Sequence, residues 1–173
     1  MGGFLLLKVA FWSYVALFAG AALFDIRKFI IPNWISLSLV ALFVAANLVL
    51  PFAAAWLSHF AAMGIALLVG LALFRFRILG GGDVKLLAAA ALWAGTDHLL
   101  ELAIYIGVAG GTFALALIAA RRLLMSLLVA QTVFESVTLP RLLLPGEQIP
   151  YGVAIAAGAI LLGRGLPHLG LFL

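Results

Sequence analysis

Residues Ile78–Leu87 read ILGGGDVKLL: three glycines, an aspartate and, two residues on, a lysine, inside a chain made almost wholly of apolar side chains. The run just after the aspartate, Val84–Ala94, decides the fold. It is apolar but too short to cross the roughly 30 Å of hydrocarbon in a bilayer. Five longer apolar runs surround it, at Phe4–Phe24, Trp34–Leu50, Trp56–Phe74, Leu99–Ala120 and Pro150–Leu162. Taken as a helix, the short run completes an all-α, polytopic membrane chain of about six transmembrane helices, with one short helix after the glycines and aspartate. Composition requires the bilayer: 173 residues are 67% hydrophobic and 9% charged, and the mean hydropathy is +1.31. A soluble globule would lack the polar surface to coat itself.

Six spans sort the loops into two sets. One set, with Arg27, Lys28, Arg75, Arg77, Lys85, Arg121, Arg122 and Arg141, holds most of the 10 Lys and Arg residues. By the positive-inside rule that face is cytoplasmic and the N-terminus is outside. Phe4–Phe24 is not read as a signal peptide, because its positive charges come after the apolar run instead of preceding it.

This topology puts Asp25 and Asp83 on the cytoplasmic face and Asp97, Glu101, His59, His98 and His168 on the other. The separation excludes chemistries. A metalloprotease needs imidazoles beside its acid, and no His-Glu-x-x-His stretch occurs. A rhomboid-like serine protease needs a Gly-x-Ser nucleophile with a histidine on its own side, which is also missing. With 0 cysteines there is no thiolate ligand or cysteine nucleophile. No metal or other cofactor is implied, and no nucleic-acid partner.

If Thr96 and Asp97 mark the outer interface, about thirteen helical residues, or roughly 20 Å, separate them from Asp83, which then lies below the membrane surface. An ionisable group at that depth is costly, and non-helical backbone there lines protein or water. Gly80, Gly81 and Gly82 allow unusual dihedrals and a close backbone approach. A recessed, wetted site is one reading. The plainer one makes Asp83 a helix cap and Lys85 a snorkelling cation.

A second carboxylate stands in DIRKFIIPN, Asp25–Asn33, where Pro32 ends an extended segment and fits the first turn of the next helix. The two stretches together resemble the type IV prepilin peptidase family, membrane aspartic proteases with a Gly-x-Gly-Asp motif. Asp25 precedes Ile31, Pro32 and Asn33 as the family's first aspartate precedes its Ile-Pro-Asn, and Gly80, Gly82, Asp83 and Lys85 match Gly-x-Gly-Asp-x-Lys. The stretch IPYGVAIAAG, Ile149–Gly158, resembles the family's closing segment, with Pro150, Tyr151 and Gly152 at the entry to the last helix.

The resemblance implies one peptidase domain over residues 1–173, in the cytoplasmic membrane of a bacterium or archaeon, with Asp25 and Asp83 as the catalytic pair. Gly80, Gly81, Gly82, Lys85, Pro32, Asn33, Pro150, Tyr151 and Gly152 would shape the site or bind substrate. The implied partners are membrane lipid and prepilins or pseudopilins, each a short basic leader, a small residue and an apolar helix. The long bifunctional members carry paired Cys-x-x-Cys motifs and methylate the new N-terminus. Without cysteine, this chain resembles the short, peptidase-only form of Flp or tight-adherence pili.

Two carboxylates in a low-dielectric cleft cannot both ionise cheaply, so they share a proton and titrate in two separated steps. The ionised member suits a general base and the protonated one a general acid. Which aspartate plays which part stays open. Two readings of other kinds compete: a proton- or cation-coupled transporter, and a presenilin-like protease. The transporter is disfavoured by carboxylates at one face and by the lack of an inverted repeat, the presenilin by the missing Pro-Ala-Leu after Asp83.

The remaining features read as structural. Gly107 with Gly111, and Ala154 with Gly158, suggest close helix contacts. His98 and Glu101, three apart, suit each other. Trp12, Trp34, Trp56 and Trp93 suit interfacial anchors. Arg121–Gly146, with Gln131, Glu135, Thr138 and Arg141 among leucines, reads either as an interfacial segment that docks substrate or as a connector hugging lipid.

Overall fold

The computed structural model describes residues 2–49, 55–131, 141–144, 147–166 and 169. Among them lie six helices, α1 (Gly2–Lys28), α2 (Asn33–Val49), α3 (Trp56–Arg75), α4 (Gly81–Ala94), α5 (Leu99–Gln131) and α6 (Tyr151–Gly163), one 3-10 turn at Arg141–Leu143, and no strand. Within α1, α3 and α5, the stretches Leu5–Lys28, Trp56–Arg75 and Leu99–Leu127 are long and apolar enough to cross a membrane; α2 and α6 are shorter apolar helices. Leu57, Leu68 and Val69 on α3 and Leu100, Val108 and Leu115 on α5 face outward. Apolar faces this continuous suit lipid as their surroundings.

The short helix is the centre of the bundle. α4 packs against α3, α2, α6 and α5, and ten of its residues from Asp83 to Ala94 are buried. Ala88–Ala91 keep that helix thin, so neighbouring backbones approach on every side. At its end Trp93 is fully buried, against the expectation of an interfacial anchor. Its indole N–H donates to the Leu39 carbonyl at 3.0 Å, and its ring meets those of Tyr14 and Phe43 edge-on. A buried indole needs such an acceptor. Trp12, Trp34 and Trp56 do face outward.

α6 is pinned between α1 and α5. The buried Tyr14 hydroxyl donates to the Ala159 carbonyl at 2.6 Å. A Cβ on Gly158 would stand 2.7 Å from the Ile106 amide nitrogen, and one on Gly110 would stand 3.1 Å from Ala154 Cβ. The small pair Ala154 and Gly158 therefore makes the expected close contact. Gly107 and Gly111 do not: nothing lies within 4 Å of a Cβ at either. The helix turns Gly110 inward instead, one residue out of register with that pair.

The fifth helix runs past the expected end at Ala120 to Gln131. At 33 residues it is about 50 Å long. Arg121 thus lies on a continuous helix and not in a connector. Residues 132–140, with Glu135 and Thr138, and residue His168 lie outside the described residues, and with them the reading of that segment as an interfacial helix.

At the end of the bundle where α4 finishes, His59 Nδ1 lies 2.8 Å from the Leu92 carbonyl oxygen, and His98 Nδ1 lies 3.1 Å from Glu101 Oε2, as their spacing suggests. These groups are an α4 length away from Asp83.

Candidate active site

Asp25 lies in the last turn of α1. Phe29 ends that helix: its N–H donates to the Asp25 carbonyl at 2.8 Å, and its φ of 54° turns the chain out. That is the left-handed region, costing a side-chain-bearing residue roughly 1–2 kcal/mol. α3 also ends on a left-handed residue. Ile78 N–H donates to the Leu73 carbonyl and Arg77 N–H to that of Phe74, a Schellman closure in which Arg77 holds the position, at φ 58°, where glycine is usual.

Asp83 is placed by its own helix. Gly80 is the N-cap of α4, and its N–H donates to Asp83 Oδ2 at 3.0 Å. The carboxylate three residues into the helix thus satisfies the cap amide, half of a capping box; glycine has no side chain for the other half. The capping reading of Asp83 is borne out by that bond. The three glycines differ from the expectation, however. Gly80 has ordinary extended backbone, φ −77° and ψ 156°, and Gly81 and Gly82 already belong to α4. Closeness explains Gly82, where a Cβ would stand 3.3 Å from the Ile31 amide nitrogen. Gly81 has ordinary room, its nearest neighbour being Phe74 Cε2 at 3.7 Å.

The Asp25 carboxylate is held from far away. The Gly152 N–H donates to Asp25 Oδ2 at 2.7 Å across 127 residues, and the Val153 amide also faces it. These are first-turn amides of α6, whose N-cap, Pro150, offers no side-chain cap. Helix N-termini leave such donors unpaired and attract anions, so Asp25 caps α6 from another helix. Gly152 must lack a side chain, since a Cβ there would stand 2.7 Å from Asp25 Oδ2.

The two carboxylates share one space. Both residues are buried, at 5% and 8% exposure, yet both line one open cleft of about 1060 Å³. They lie close enough to repel each other, and the Gly152 amide also faces Asp83. Phe29, Leu71, Phe74 and Ile78 make an apolar side of the cleft, and Arg75, Arg77 and Glu147 bring charge to it. A recess of about 230 Å³ between Phe29–Ile31 and Gly80–Gly82 opens beside the pair.

Residues 12–115 match the sequence profile of the type IV leader peptidase family. The chain belongs to that family. No curated protein and no solved structure matches it. This leader peptidase is therefore a membrane protein and a protease. The matched residues contain Asp25–Asn33 and Gly80–Lys85 but end before Ile149–Gly158, so the part of Gly152 rests on geometry alone.

Among the other expected residues, Pro150 and Tyr151 line the cleft of the leader peptidase. Lys85 and Asn33 stand outside its lining: Lys85 Nζ donates to Asn33 Oδ1 at 2.8 Å. That bond ties α4 to α2. Pro32 is not in the lining either; its carbonyl accepts the Ile35 N–H at 3.1 Å. Phe29 and Arg77 carry no sign of their role in the sequence, because the left-handed backbone that brings them into the lining has no marker when the residue is neither glycine nor asparagine. Among the described residues no three His, Asp or Glu side chains gather as a metal-binding group.

Proposed function

We propose that this leader peptidase is an aspartic endopeptidase in which Asp25 and Asp83 together hydrolyse the leader of prepilin-like precursors. The observation that carries the reading is that both buried aspartates line one open cleft. In this reading six helices enter the membrane, the N-terminus is outside, and the cleft opens to the cytoplasm of a bacterium or archaeon, as the placement of Lys and Arg favours.

Two close carboxylates hold one proton between them. The ionised one takes a proton from water as the oxygen attacks the scissile carbonyl carbon, while the protonated one gives its proton to the carbonyl oxygen. Collapse of the resulting gem-diol breaks the C–N bond: the carboxyl that took the water proton gives a proton to the leaving amine, and the other carboxylate takes one from a gem-diol hydroxyl. Two protons taken and two given in each turn leave the pair with the one it began with. The Gly152 amide keeps Asp25 in place through both halves.

The apolar side of the cleft suits the start of a substrate's membrane helix, and the bond before it must leave helical geometry to reach the carboxylates. Peptidase chemistry without methylation, and substrates of the Flp or tight-adherence kind, belong to the same reading.

Co-expression with a precursor carrying a short basic leader, a glycine and an apolar helix tests it by a size shift. Cleavage by the intact chain, unaffected by EDTA, and none by Asp25→Ala or Asp83→Ala proteins that still accumulate in the membrane is the expected result. Substantial processing by either variant would reject the pair.

A further inference from the structure

The amide that holds Asp25 lies at the end of a strap, and one side chain on α5 grips that strap at two carbonyls. Arg121 sits on α5, half-buried, and its guanidinium reaches across to the chain that leads into α6. Nε and Nη2 donate to the Leu142 carbonyl at 3.0 and 2.8 Å, and Nη1 donates to the Glu147 carbonyl at 3.0 Å. Beyond Glu147 the chain runs along the cleft through Gln148, Ile149, Pro150 and Tyr151 to Gly152, whose N–H meets Asp25. Residues 147–150 belong to no helix or strand, so no ladder of backbone bonds fixes their path.

We infer that Arg121 is a positioning residue of the active site: by gripping two carbonyls of the strap it sets the height at which Gly152 meets Asp25. A planar fork suits this grip, because one guanidinium points separate N–H groups at two acceptors at fixed spacing, whereas an ammonium is a single point on a flexible stem. Its neighbour Arg122 is exposed, and serves as the control on the same helix. A shift of about 1 Å in a positioning group is enough to cost on the order of a hundredfold in rate. The inference rests on the Asp25 and Asp83 reading for its catalytic consequence, but the placement of the strap can be measured without catalysis.

The experiment has two arms. In the first, steady-state cleavage of the prepilin-type precursor is measured in liposomes for the intact chain and for Arg121→Ala, Arg121→Lys and Arg122→Ala. Arg121→Ala is expected to lower kcat at least about tenfold, equivalent to about 1.4 kcal/mol, with partial recovery in Arg121→Lys and on adding millimolar methylguanidinium. Methylammonium gives no recovery, and Arg122→Ala cleaves as the intact chain does. In the second arm, Ile149→Cys is made in the cysteine-free chain and its labelling by a water-soluble maleimide is timed. Adding Arg121→Ala speeds labelling several-fold, and methylguanidinium slows it again. Equal kcat and equal labelling with and without Arg121 would overturn the inference, as would a loss of activity that methylguanidinium leaves untouched while labelling is unchanged. If the intact chain cleaves no precursor, the functional reading falls and the labelling arm still decides the strap.

Discussion

The two aspartates stand at helix N-termini by opposite routes. Asp83 sits in the first turn of α4 and accepts the N–H of Gly80, three residues before it; a stretch of four residues suffices to place it. Asp25 sits near the end of α1 and accepts the N–H of Gly152, on a helix 127 residues away; nothing local places its carboxylate. One position is written in the chain nearby and the other exists only once α1, α5 and α6 have assembled. Damage to the assembly should therefore act mainly through Asp25, whereas loss of Asp83 should cost stability as well as cleavage.

The widest separation between the two routes is expected from glycine substitutions. In Gly152→Val the new Cβ would displace Asp25, and cleavage should fall by about a hundredfold or more, the scale of a misplaced catalytic group. Gly81→Ala, with only Phe74 Cε2 at 3.7 Å to meet, should cleave within about twofold of the intact chain. Cleavage assays on the two purified proteins check this, and equal losses would mean that the Gly152 contact is not special. A smaller but clear loss, on the order of tenfold, is expected of Gly82→Leu, because its side chain must push away the Ile31 backbone at 3.3 to 3.4 Å.

Stability sharpens the contrast further. Asp83→Ala removes the acceptor of the cap amide and should cost about 1 kcal/mol, seen as a lower Tm in detergent. Asp25→Asn keeps an acceptor for Gly152 while removing one member of a buried pair that cannot both ionise cheaply, so its Tm should match or exceed that of the intact chain. A fall in Asp25→Asn as deep as that in Asp83→Ala would erase the distinction. An effect of similar size and opposite sign is expected at the α3 terminus, where Arg77→Gly relieves a left-handed residue and should raise stability by roughly 1 kcal/mol, measurable as a rise in Tm.

The contrast also explains what the sequence could disclose. Apart from the far end of α5, apolar runs located the helices to within a few residues, because lipid and core alike demand them and polar residues mark the ends. Asp83 and its capping role were legible for the same reason: the signal is local. For Asp25 the sequence offered a carboxylate and a nearby Ile-Pro-Asn, but not its partner, since no spacing rule links residue 25 to residue 152. Lys85 with Asn33, Arg121 with the strap carbonyls, and the buried Trp93 share that character. Each is a pairing made by packing, invisible to periodicity. The register of α5 against α6 was missed for a related cause: Gly107 and Gly111 have the spacing of a contact motif, and only the partner surface decides that Gly110 is the residue used.

The central claim is that Asp25 and Asp83 act as one unit, and a double-mutant cycle on cleavage tests it most directly. Initial rates are measured for Asp25→Asn, Asp83→Asn and the double variant, all reconstituted at equal amounts with the same precursor. Each single change should cost at least about a thousandfold, within the range of general acid–base catalysis. The double should be no slower than the weaker single within about threefold, because removing half of a working pair already removes its function. Losses that multiply in the double variant, or a single variant that keeps a tenth of the rate, would contradict the account.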